Sequence, residues 1–550
     1  MKQRIKLKSL LFLCCLLASA GAQSQRSNPT AGMEPMLDLK FTATERDSLL
    51  SRLEDYLTLY KSLHHHALPN SAGMALFFDP RPTGFVMPAD VEKPEWNLPD
   101  HVAMPANQEA LAFMPVYQLA SLIRSRQLTS VELTKLYIAR LKRHSETLQC
   151  TITLMEESAL SQASRADREI ATGRYRGPLH GIPYGLKDLF AVEGTPTTWG
   201  ATPYREQVVA GTATVVRKLE EAGAVLVAKL TLGALAMGDI WYGGKTRNPW
   251  NLLQGSSGSS AGSAAATAAG LVAFAIGTET WGSIVSPSTR CGATGLRPTF
   301  GAVSRAGAMT LSWSMDKVGP ICRSALDCAL VYDVIRGEDA ADPVTRKSTF
   351  SYRAATPITR LRIGYIKSLF DLDTANRGHH DRALNVLRKL GVDLVPVEVP
   401  QGLPVDALSM ITGVEGAAAF DELTRSDRDS LLTDQRKGAW PNIFRTAHFV
   451  PAVEYINAQR VRRQLIEDWH QRLGEFDVIV APTFGGNQNL MTNLTGHPCL
   501  VLPDGFTEKG TPTSISFIGK LYGEAALISV GRAFQEATTW HQQVPPLFRE

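Results

Sequence analysis

The sequence predicts an α/β fold in which a central β-sheet is covered by helices on both faces and preceded by an N-terminal helical arm. Helical and strand patterns alternate along most of the chain. The composition, 44% hydrophobic and 20% charged residues, is that of an ordinary globular protein. A run of small residues from Gly255 to Gly270 leads into an apolar segment, which favours a tightly packed buried loop over a flexible linker. At 550 residues the chain is long enough for one large domain or for several average ones.

The first 22 residues have the pattern of a secretory signal peptide. Four basic residues precede the apolar core LLFLCCLLA, and small residues follow it. This core is too short to span a bilayer comfortably, so we expect no stable membrane span. Cys14 and Cys15 leave lipidation open, although the bulky residues before them argue against it. We therefore expect a periplasmic or secreted protein.

Net charge argues against a nucleic-acid partner. The formal charge of the whole chain is +4, and removal of the signal with its four basic residues leaves the mature chain near neutral. A neutral chain lacks the electrostatic attraction on which nucleic-acid binding depends.

Residues 23–113 are predicted to form the arm, and residues 114–550 the main domain. Apolar residues at helical spacing predict a helix over Thr42 to Leu63, followed by three histidines that are typical of a solvated turn. Prolines punctuate Phe77 to Pro105, which predicts an irregular segment lying over the main body.

Within the main domain, Thr129 and Glu132 fit a capping box that opens a helix. The following elements are predicted in order: strand 151–155, a helix to about residue 170, the turn GPLHGIPYGLKD, helix 215–223 and strand 224–230. Beyond the small-residue run come helix 325–337, strand 361–366, helix 381–391 and strand 392–400. Residues 413–473 are predicted to be largely helical, with breaks near Pro441 and Pro451. Strands are predicted over 476–483 and 497–505.

The cysteine pattern indicates no disulfide framework and no metal site. Two of the seven cysteines lie in the signal, and the other five are odd in number and widely scattered. No CxxC or Cys/His spacing typical of zinc occurs. We expect buried free thiols, with a single disulfide left open.

Three residues are candidates for catalysis: Lys187, Ser259 and Ser283. Lys187 lies in the apolar segment GIPYGLKDLF, where it is either a snorkelling surface residue or a buried amine. Burial would favour the neutral amine, which could act as a general base for a serine. No histidine occurs between His180 and His379, so histidine is absent as a base over this stretch of sequence.

Two other serine patterns occur. Gly258 to Gly262 matches G-x-S-x-G, which would make Ser260 the nucleophile, and Ser314 to Lys317 matches S-x-x-K. Both are short and lack the companion motifs of their families. We interpret them as chance matches.

A longer, ordered set of motifs runs along the main domain: GPLHGIPYGLKD, KTRNPWN, GSSAGSAAATAAGLVAFAIGTETWGSIVSP, CGATGLRPTFG, SMDKVGPICRS, FDVIVAPT and NLTGHPCLVLP. Together these motifs resemble the amidase signature family, in particular its peptide amidase-like and secreted bacterial members. The resemblance covers about residues 115–544. It implies a single large domain with a mixed central sheet, and an enzyme that needs no cofactor or metal.

The resemblance also implies a Ser–cis-Ser–Lys triad with Ser283 as nucleophile, Ser259 as relay and Lys187 as base. The two serines are 24 residues apart, as in the family. The Gly258–Ser259 peptide is therefore expected to be cis.

The same resemblance places the oxyanion site at the backbone N–H groups from Thr280 through Ser283, so that Thr280, Trp281 and Gly282 are oxyanion- or substrate-binding residues. Two positions depart from the family. Trp281 stands where a glycine is usual, and Val285 stands where an arginine is frequent. Trp281 is expected to narrow the pocket or to form an aromatic wall.

The leading hypothesis for the function is an amidohydrolase that cleaves a carboxamide of a small molecule, a non-peptide or terminal amide, through a serine acyl-enzyme. The alternatives are the catalytic subunit of a glutamine-dependent tRNA transamidase, a serine esterase or aryl acylamidase, and a non-catalytic binding protein. Trp281, the segment 234–242 and the helical region after Gly413 are expected to set specificity. A monomer or a homodimer is expected.

Overall fold

The computed structural model describes residues 29–66, 68–88, 93–347 and 349–549. The predicted signal peptide, with Cys14 and Cys15, lies outside the described residues. The chain divides into two compact units, one ending at Pro69 and the other running from Asn70 to Glu550.

The first unit contains the helix Ala43–His64, which agrees with the predicted helix to within one residue at each end. Its start is fixed by a capping box: the Thr42 hydroxyl accepts from the Glu45 N–H, and the Glu45 carboxylate accepts from the Thr42 N–H. His65 and His66 follow in an exposed turn, as predicted.

The second unit is built on a sheet of eleven strands, and two short hairpins lie outside it. The strands of the sheet are β1 Thr151–Leu154, β2 Pro183–Lys187, β3 Val225–Leu230, β8 Phe274–Glu279, β9 Thr294–Arg297, β10 Lys317–Cys322, β11 Ile363–Ile366, β12 Leu394–Val397, β13 Val478–Pro482, β14 Cys499–Phe506 and β15 Pro512–Gly519. The hairpins pair β4 Ile240–Trp241 with β5 Gly244–Lys245, and β6 Arg247–Asn248 with β7 Asn251–Gly255.

The sheet is mixed, as the resemblance implied. Its strand order is β1-β3-β2-β8-β10-β9-β14-β15-β13-β11-β12. β2 runs parallel to both β3 and β8, and β11 runs parallel to both β12 and β13. The remaining neighbours are antiparallel. The carboxyl ends of β2 and β8 therefore meet at one edge of the sheet.

Helices cover both faces of the sheet, which confirms the predicted architecture. Along β13, Val478 and Val480 belong to one apolar cluster, whereas Ile479 and Ala481 belong to another. Alternate side chains of a strand point to opposite faces, so these clusters lie on opposite sides of the sheet. The helices of the second unit are Val116–Arg124, Ser130–Leu148, Glu156–Ala171, Thr214–Glu221, Ala261–Ala268, Val285–Cys291, Ala325–Ile335, Lys367–Leu372, Arg377–Lys389, Met410–Ala419, Asp421–Arg425, Trp440–Ala447, Ala452–Leu473, Gln488–Leu494 and Glu524–Thr538.

Most predicted elements are present at the expected positions. The capping box of Thr129 and Glu132 opens the helix Ser130–Leu148. Pro441 lies in the first turn of the helix Trp440–Ala447, and Pro451 is the N-cap of Ala452–Leu473, so each helical break comes just before its proline. Proline is favoured in the first turn of a helix because an N–H group at that position would have no acceptor within the helix.

Residues 70–113, predicted as part of the arm, belong to the larger compact unit. Phe85, Trp96 and Leu98 pack against its main apolar cluster, and the Asn70 side chain hydrogen-bonds the Thr310 backbone, which explains why the unit begins well before the expected boundary at Met114. The five cysteines among the described residues are free and buried, as predicted. Among the described residues, no helix is long and apolar enough to cross a membrane, and no group of acidic, histidine and cysteine side chains is arranged to hold a metal.

Candidate active site

The candidate site lies at the edge of the sheet where β2 and β8 end. Lys187 is the last residue of β2, and Glu279 is the last residue of β8. Ser259 and Ser260 come directly before the buried helix Ala261–Ala268. Ser283 follows β8 by four residues, so neighbouring strands and a helix start bring the three predicted catalytic residues to one place.

The Lys187 amine is surrounded by hydroxyl groups. Its Nζ lies 2.8 Å from Ser259 Oγ, 3.0 Å from Ser260 Oγ and 2.9 Å from Thr278 Oγ1. Ser260 Oγ donates to Thr278 O, so it accepts from Lys187. A neutral amine has two N–H groups and one lone pair. With the N–H groups directed at Ser260 and Thr278, the lone pair faces Ser259.

Burial makes the neutral form of this amine accessible. The Lys187 side chain is 0% exposed, and this burial lowers its pKa from 10.5 to about 7, against the opposing effect of the Asp316 and Glu279 carboxylates. The alternative of a snorkelling surface lysine is therefore wrong.

Two other buried lysines near the site have different partners. Lys229 Nζ lies 2.7 Å from Asp188 Oδ1 and donates to Pro196 O and Thr197 Oγ1. A carboxylate partner stabilises its charged form. Lys317 Nζ donates to Met315 O. Of these three lysines, Lys187 alone has serine hydroxyls as hydrogen-bond partners.

The Gly258–Ser259 peptide bond is cis, as the resemblance implied. Small residues around it are required by close backbone contacts. A Cβ on Gly258 would lie 1.8 Å from Gly238 O, and one on Gly262 would lie 2.4 Å from Cys150 O. The small-residue run is therefore a packed, buried part of the site, as predicted, but only its first part is a loop, because its second part forms the helix Ala261–Ala268.

The loop of Ser283 is joined directly to the loop of Ser259. The Ser260 N–H donates to Ser283 O at 3.1 Å, and Ser257 Oγ lies 2.7 Å from Ser286 Oγ. Ser283 is buried, and among the described residues no hydrogen bond joins its hydroxyl to that of Ser259. The first link of the predicted relay, Lys187 to Ser259, is thus formed in this structure.

The predicted oxyanion site has main-chain donors available. Gly282 has φ +85°, a conformation that glycine adopts at little cost. The N–H groups of Trp281, Gly282 and Ser283 donate to no acceptor among the described residues. Successive unsatisfied N–H groups in such a turn form an anion-binding concavity.

Glu279 holds the turn that carries Ser283, a role that sequence reasoning missed. One of its carboxylate oxygens accepts from the Ile284 and Val285 N–H groups, at 2.8 and 2.9 Å. The other lies 2.7 Å from the Arg297 guanidinium, and both side chains are fully buried. Burial alone would raise the pKa of Glu279, but the Arg297 charge and these hydrogen bonds hold it at about 2. Glu279 and Arg297 both occur within the motifs that resemble the family. Their place in these motifs was the only signal of their role in the sequence.

Glu279→Gln is expected to lower the free energy of unfolding by about 3 kcal/mol at pH 7, because it leaves the buried Arg297 charge uncompensated. Urea denaturation measures this change. Glu206→Gln is the matched control: Glu206 is an exposed partner of Arg205, and its loss is expected to cost less than about 0.5 kcal/mol. Equal effects of the two substitutions would contradict the role given to Glu279.

The other predicted residues have distinct surroundings. Thr280 is buried and donates its hydroxyl to Asp316 Oδ1. Trp281 is 47% exposed, which places it at the rim of the site. Val285 packs in an apolar cluster, so its position offers no charge to a substrate.

Besides Trp281, two regions are expected to set specificity: the segment 234–242 and the helical region after Gly413. Both regions line one cavity. It has a volume of about 270 Å³, and its walls come from Ala234 to Ile240 and from Leu432 to Pro441. The Trp440 indole N–H donates to Leu235 O at 2.9 Å and ties the two regions together.

A family model described as Amidase matches residues 132–488. The chain belongs to the amidase signature family. Among its relatives is a glutamyl-tRNA(Gln) amidotransferase subunit from Marinomonas sp. (strain MWYL1), which is 34% identical over 476 residues, covering 78% of this chain and 98% of the relative.

Solved amidase structures have the same fold. The peptide amidase of Stenotrophomonas maltophilia is 30% identical, with a TM-score of 0.69, and the match covers 78% of this chain and 98% of that one. A bacterial aryl acylamidase of the same family is 22% identical, with a TM-score of 0.69 and coverage of 79% and 98%; this likeness concerns the fold alone. The chain is thus an amidase-type hydrolase.

Proposed function

We propose that this protein is an amidohydrolase that cleaves the C–N bond of a non-peptide or terminal carboxamide through an acyl-enzyme on Ser283. The observation that carries the proposal is the 2.8 Å contact between the Lys187 amine and the Ser259 hydroxyl in a fully buried site beside Ser283. A neutral amine in that position is a general base for a serine relay.

In the proposed reaction, Lys187 takes the proton of Ser259 while Ser259 takes the proton of Ser283. The Ser283 oxygen then attacks the amide carbonyl carbon. The developing oxyanion is stabilised by the N–H groups of the loop from Thr280 to Ser283, each donor contributing about 3 kcal/mol. When the C–N bond breaks, the proton returns through Ser259 to the leaving nitrogen. Water then attacks the acyl-enzyme with the same base and releases the carboxylic acid.

Export to the periplasm or the medium is part of this proposal. It rests on residues 1–22, whose basic start, short apolar core and small residues are typical of a signal peptide. Fractionation of the producing cells tests it, and recovery of the full-length, unprocessed chain in the cytosol would count against it.

The reaction is tested by mass-spectrometric product detection with peptide amides, anilides, acyl amides and matched esters. We expect release of a carboxylic acid and an amine from at least one amide, with no metal or cofactor added. Turnover of esters without any amide would instead support the esterase alternative. Absence of turnover on the whole panel would support a non-catalytic binding protein.

The transamidase alternative is favoured by one observation, the 34% identity to the glutamyl-tRNA(Gln) amidotransferase relative. Such an activity would require delivery of ammonia from glutamine to a charged tRNA. The near-neutral mature chain and its predicted export argue against it. Purification from the producing cells discriminates the two: glutamine-dependent tRNA amidation by a complex with a second, co-purifying protein would replace the amidohydrolase proposal.

A further inference from the structure

A second cavity of about 320 Å³ lies beside the proposed base. Thr278 and Thr280 form part of its wall, and Thr278 Oγ1 is one hydrogen bond from Lys187 Nζ. This volume is within the range of small-molecule sites. Ala236 also lines it, so the segment 234–240 separates this cavity from the 270 Å³ cavity described above.

The outer wall of the cavity is a strap, residues 71–77, held at both ends. At one end the Asn70 side chain pairs with the Thr310 backbone, accepting from its N–H at 2.8 Å and donating to its carbonyl at 2.9 Å. At the other end the Phe78 ring packs against Phe300 and lies 3.5 Å beneath the Arg462 guanidinium. The strap precedes residue 132, where the match to the family model begins.

The strap presents apolar side chains that the described part of the chain leaves largely uncovered. Leu76 is 80% exposed and Phe77 is 56% exposed, although both line the cavity. Leu189, Met309 and Val318 supply apolar surface on the inner side. Apolar surface on both sides of a space of this volume favours an apolar occupant.

The charged groups around the cavity are paired within the protein or held away from the charged form. Arg305 makes a two-pronged ion pair with Asp342 and donates to Trp313 O. Asp316 accepts from the Thr280 hydroxyl and from the N–H groups of Leu311 and Ser312. Lys317, the remaining charged residue of the described lining, donates to Met315 O, and burial lowers its pKa well below the usual value, which disfavours its charged form. A charged ligand would therefore lose its hydration without gaining a free partner.

We propose that this cavity is a substrate subsite that receives an uncharged, apolar substituent of the scissile amide, and that the strap is a specificity-determining element of this chain. The inference rests on the proposed amidohydrolase function and names its substrate class: amides in which the acyl or the amine part carries an alkyl or aryl group.

Two substrate series test the subsite. One keeps ammonia as the leaving group and lengthens the acyl part from acetamide through hexanamide to 4-phenylbutanamide. The other keeps the acetyl group and enlarges the amine part, ending with N-hexylacetamide and acetanilide. We expect kcat/KM to rise at least about tenfold with apolar size in one series. 6-Aminohexanamide and adipic acid monoamide, charged analogues of hexanamide, are expected to be at least about tenfold poorer if the acyl part occupies the cavity. If the amine part occupies the cavity instead, N-(6-aminohexyl)acetamide and N-(5-carboxypentyl)acetamide are expected to be the poor substrates.

Variants of the strap link this preference to the cavity. Leu76→Ser with Phe77→Ser is expected to reduce kcat/KM for the largest good substrate about tenfold more than for acetamide, mainly by raising KM. Leu372→Ser with Phe449→Ser is the matched control, because these side chains are 77% and 66% exposed and line neither cavity. The control is expected to leave unchanged the ratio of kcat/KM for the largest good substrate to kcat/KM for acetamide.

Three results would overturn the subsite. They are Ser283-dependent amide hydrolysis without apolar preference in either series, tolerance of the charged analogues, and equal effects of the strap and control variants on the ratio. Each of them leaves the amidohydrolase proposal standing. Lack of Ser283-dependent hydrolysis of every amide would instead overturn the proposed function, and the subsite with it.

Discussion

Ser283→Ala is expected to lose amide turnover by at least about 10⁴-fold while remaining folded. The substitution removes the oxygen that forms the acyl-enzyme, and the other hydroxyl of this loop, that of Thr280, donates to Asp316 Oδ1. Because Ser283 Oγ makes no hydrogen bond to the Ser259 hydroxyl, its loss leaves the Lys187–Ser259 contact in place. Product formation is measured by mass spectrometry, and folding is measured by circular dichroism and thermal denaturation.

The matched control for this substitution is Ser529→Ala. The Ser529 hydroxyl donates to Ala525 O within the helix Glu524–Thr538, and this serine lines neither cavity described above. It is expected to retain normal rates. An active Ser283→Ala protein would refute the nucleophile. If Ser283→Ala were active and Ser260→Ala inactive in the same assay, the G-x-S-x-G interpretation would take its place.

Lys187→Met is expected to reduce kcat/KM at pH 7 by several orders of magnitude, because no other base contacts Ser259 in the described structure. In the parent protein the activity depends on the neutral amine, whose pKa is about 7. The rate is therefore expected to rise about tenfold from pH 5 to pH 6, to rise less steeply through pH 7 and to level off above pH 8. Lys187→Arg is also expected to be inactive, since a guanidinium stays charged at these pH values.

The loss of activity in Lys187→Met should not reflect unfolding. Lowering the pKa of a buried lysine from 10.5 to about 7 costs about 5 kcal/mol of stability. This cost is present in full below pH 7 and disappears as the pH rises to 10.5, because the unfolded chain binds the extra proton over that interval. Replacing Lys187 by methionine removes this cost in stability. The gain offsets the loss of three hydrogen bonds of about 1 kcal/mol each.

Urea denaturation of Lys187→Met at pH 7 checks this expectation. Lys142→Met, which removes an exposed partner of Glu156, serves as the activity control. Near-normal rates in Lys187→Met, or a pH profile that stays flat from pH 5 to pH 8 in the parent protein, would show that the base lies elsewhere.

The sequence by itself determined the α/β class and most of the periodic elements. Ser130–Leu148 and Val225–Leu230 are examples in which local signals, a capping box and a run of β-branched and apolar residues, agree with the final structure. Several elements that contain glycine or proline were missed. The buried helix Ala261–Ala268 and the strands β9, β10 and β15 belong to this group, because tertiary burial rather than local propensity stabilises them.

For the site, the motifs identified Lys187, Ser259 and Ser283, since their spacing and their small neighbours are visible along the chain. Only the tertiary structure decided what surrounds them. The low pKa of Lys187 depends on complete burial, and the direction of its lone pair depends on Ser260 and Thr278. The turn of Ser283 depends on a buried carboxylate paired with Arg297. Such effects arise from groups distant in sequence that are brought within 3 Å of each other, so no local pattern records them.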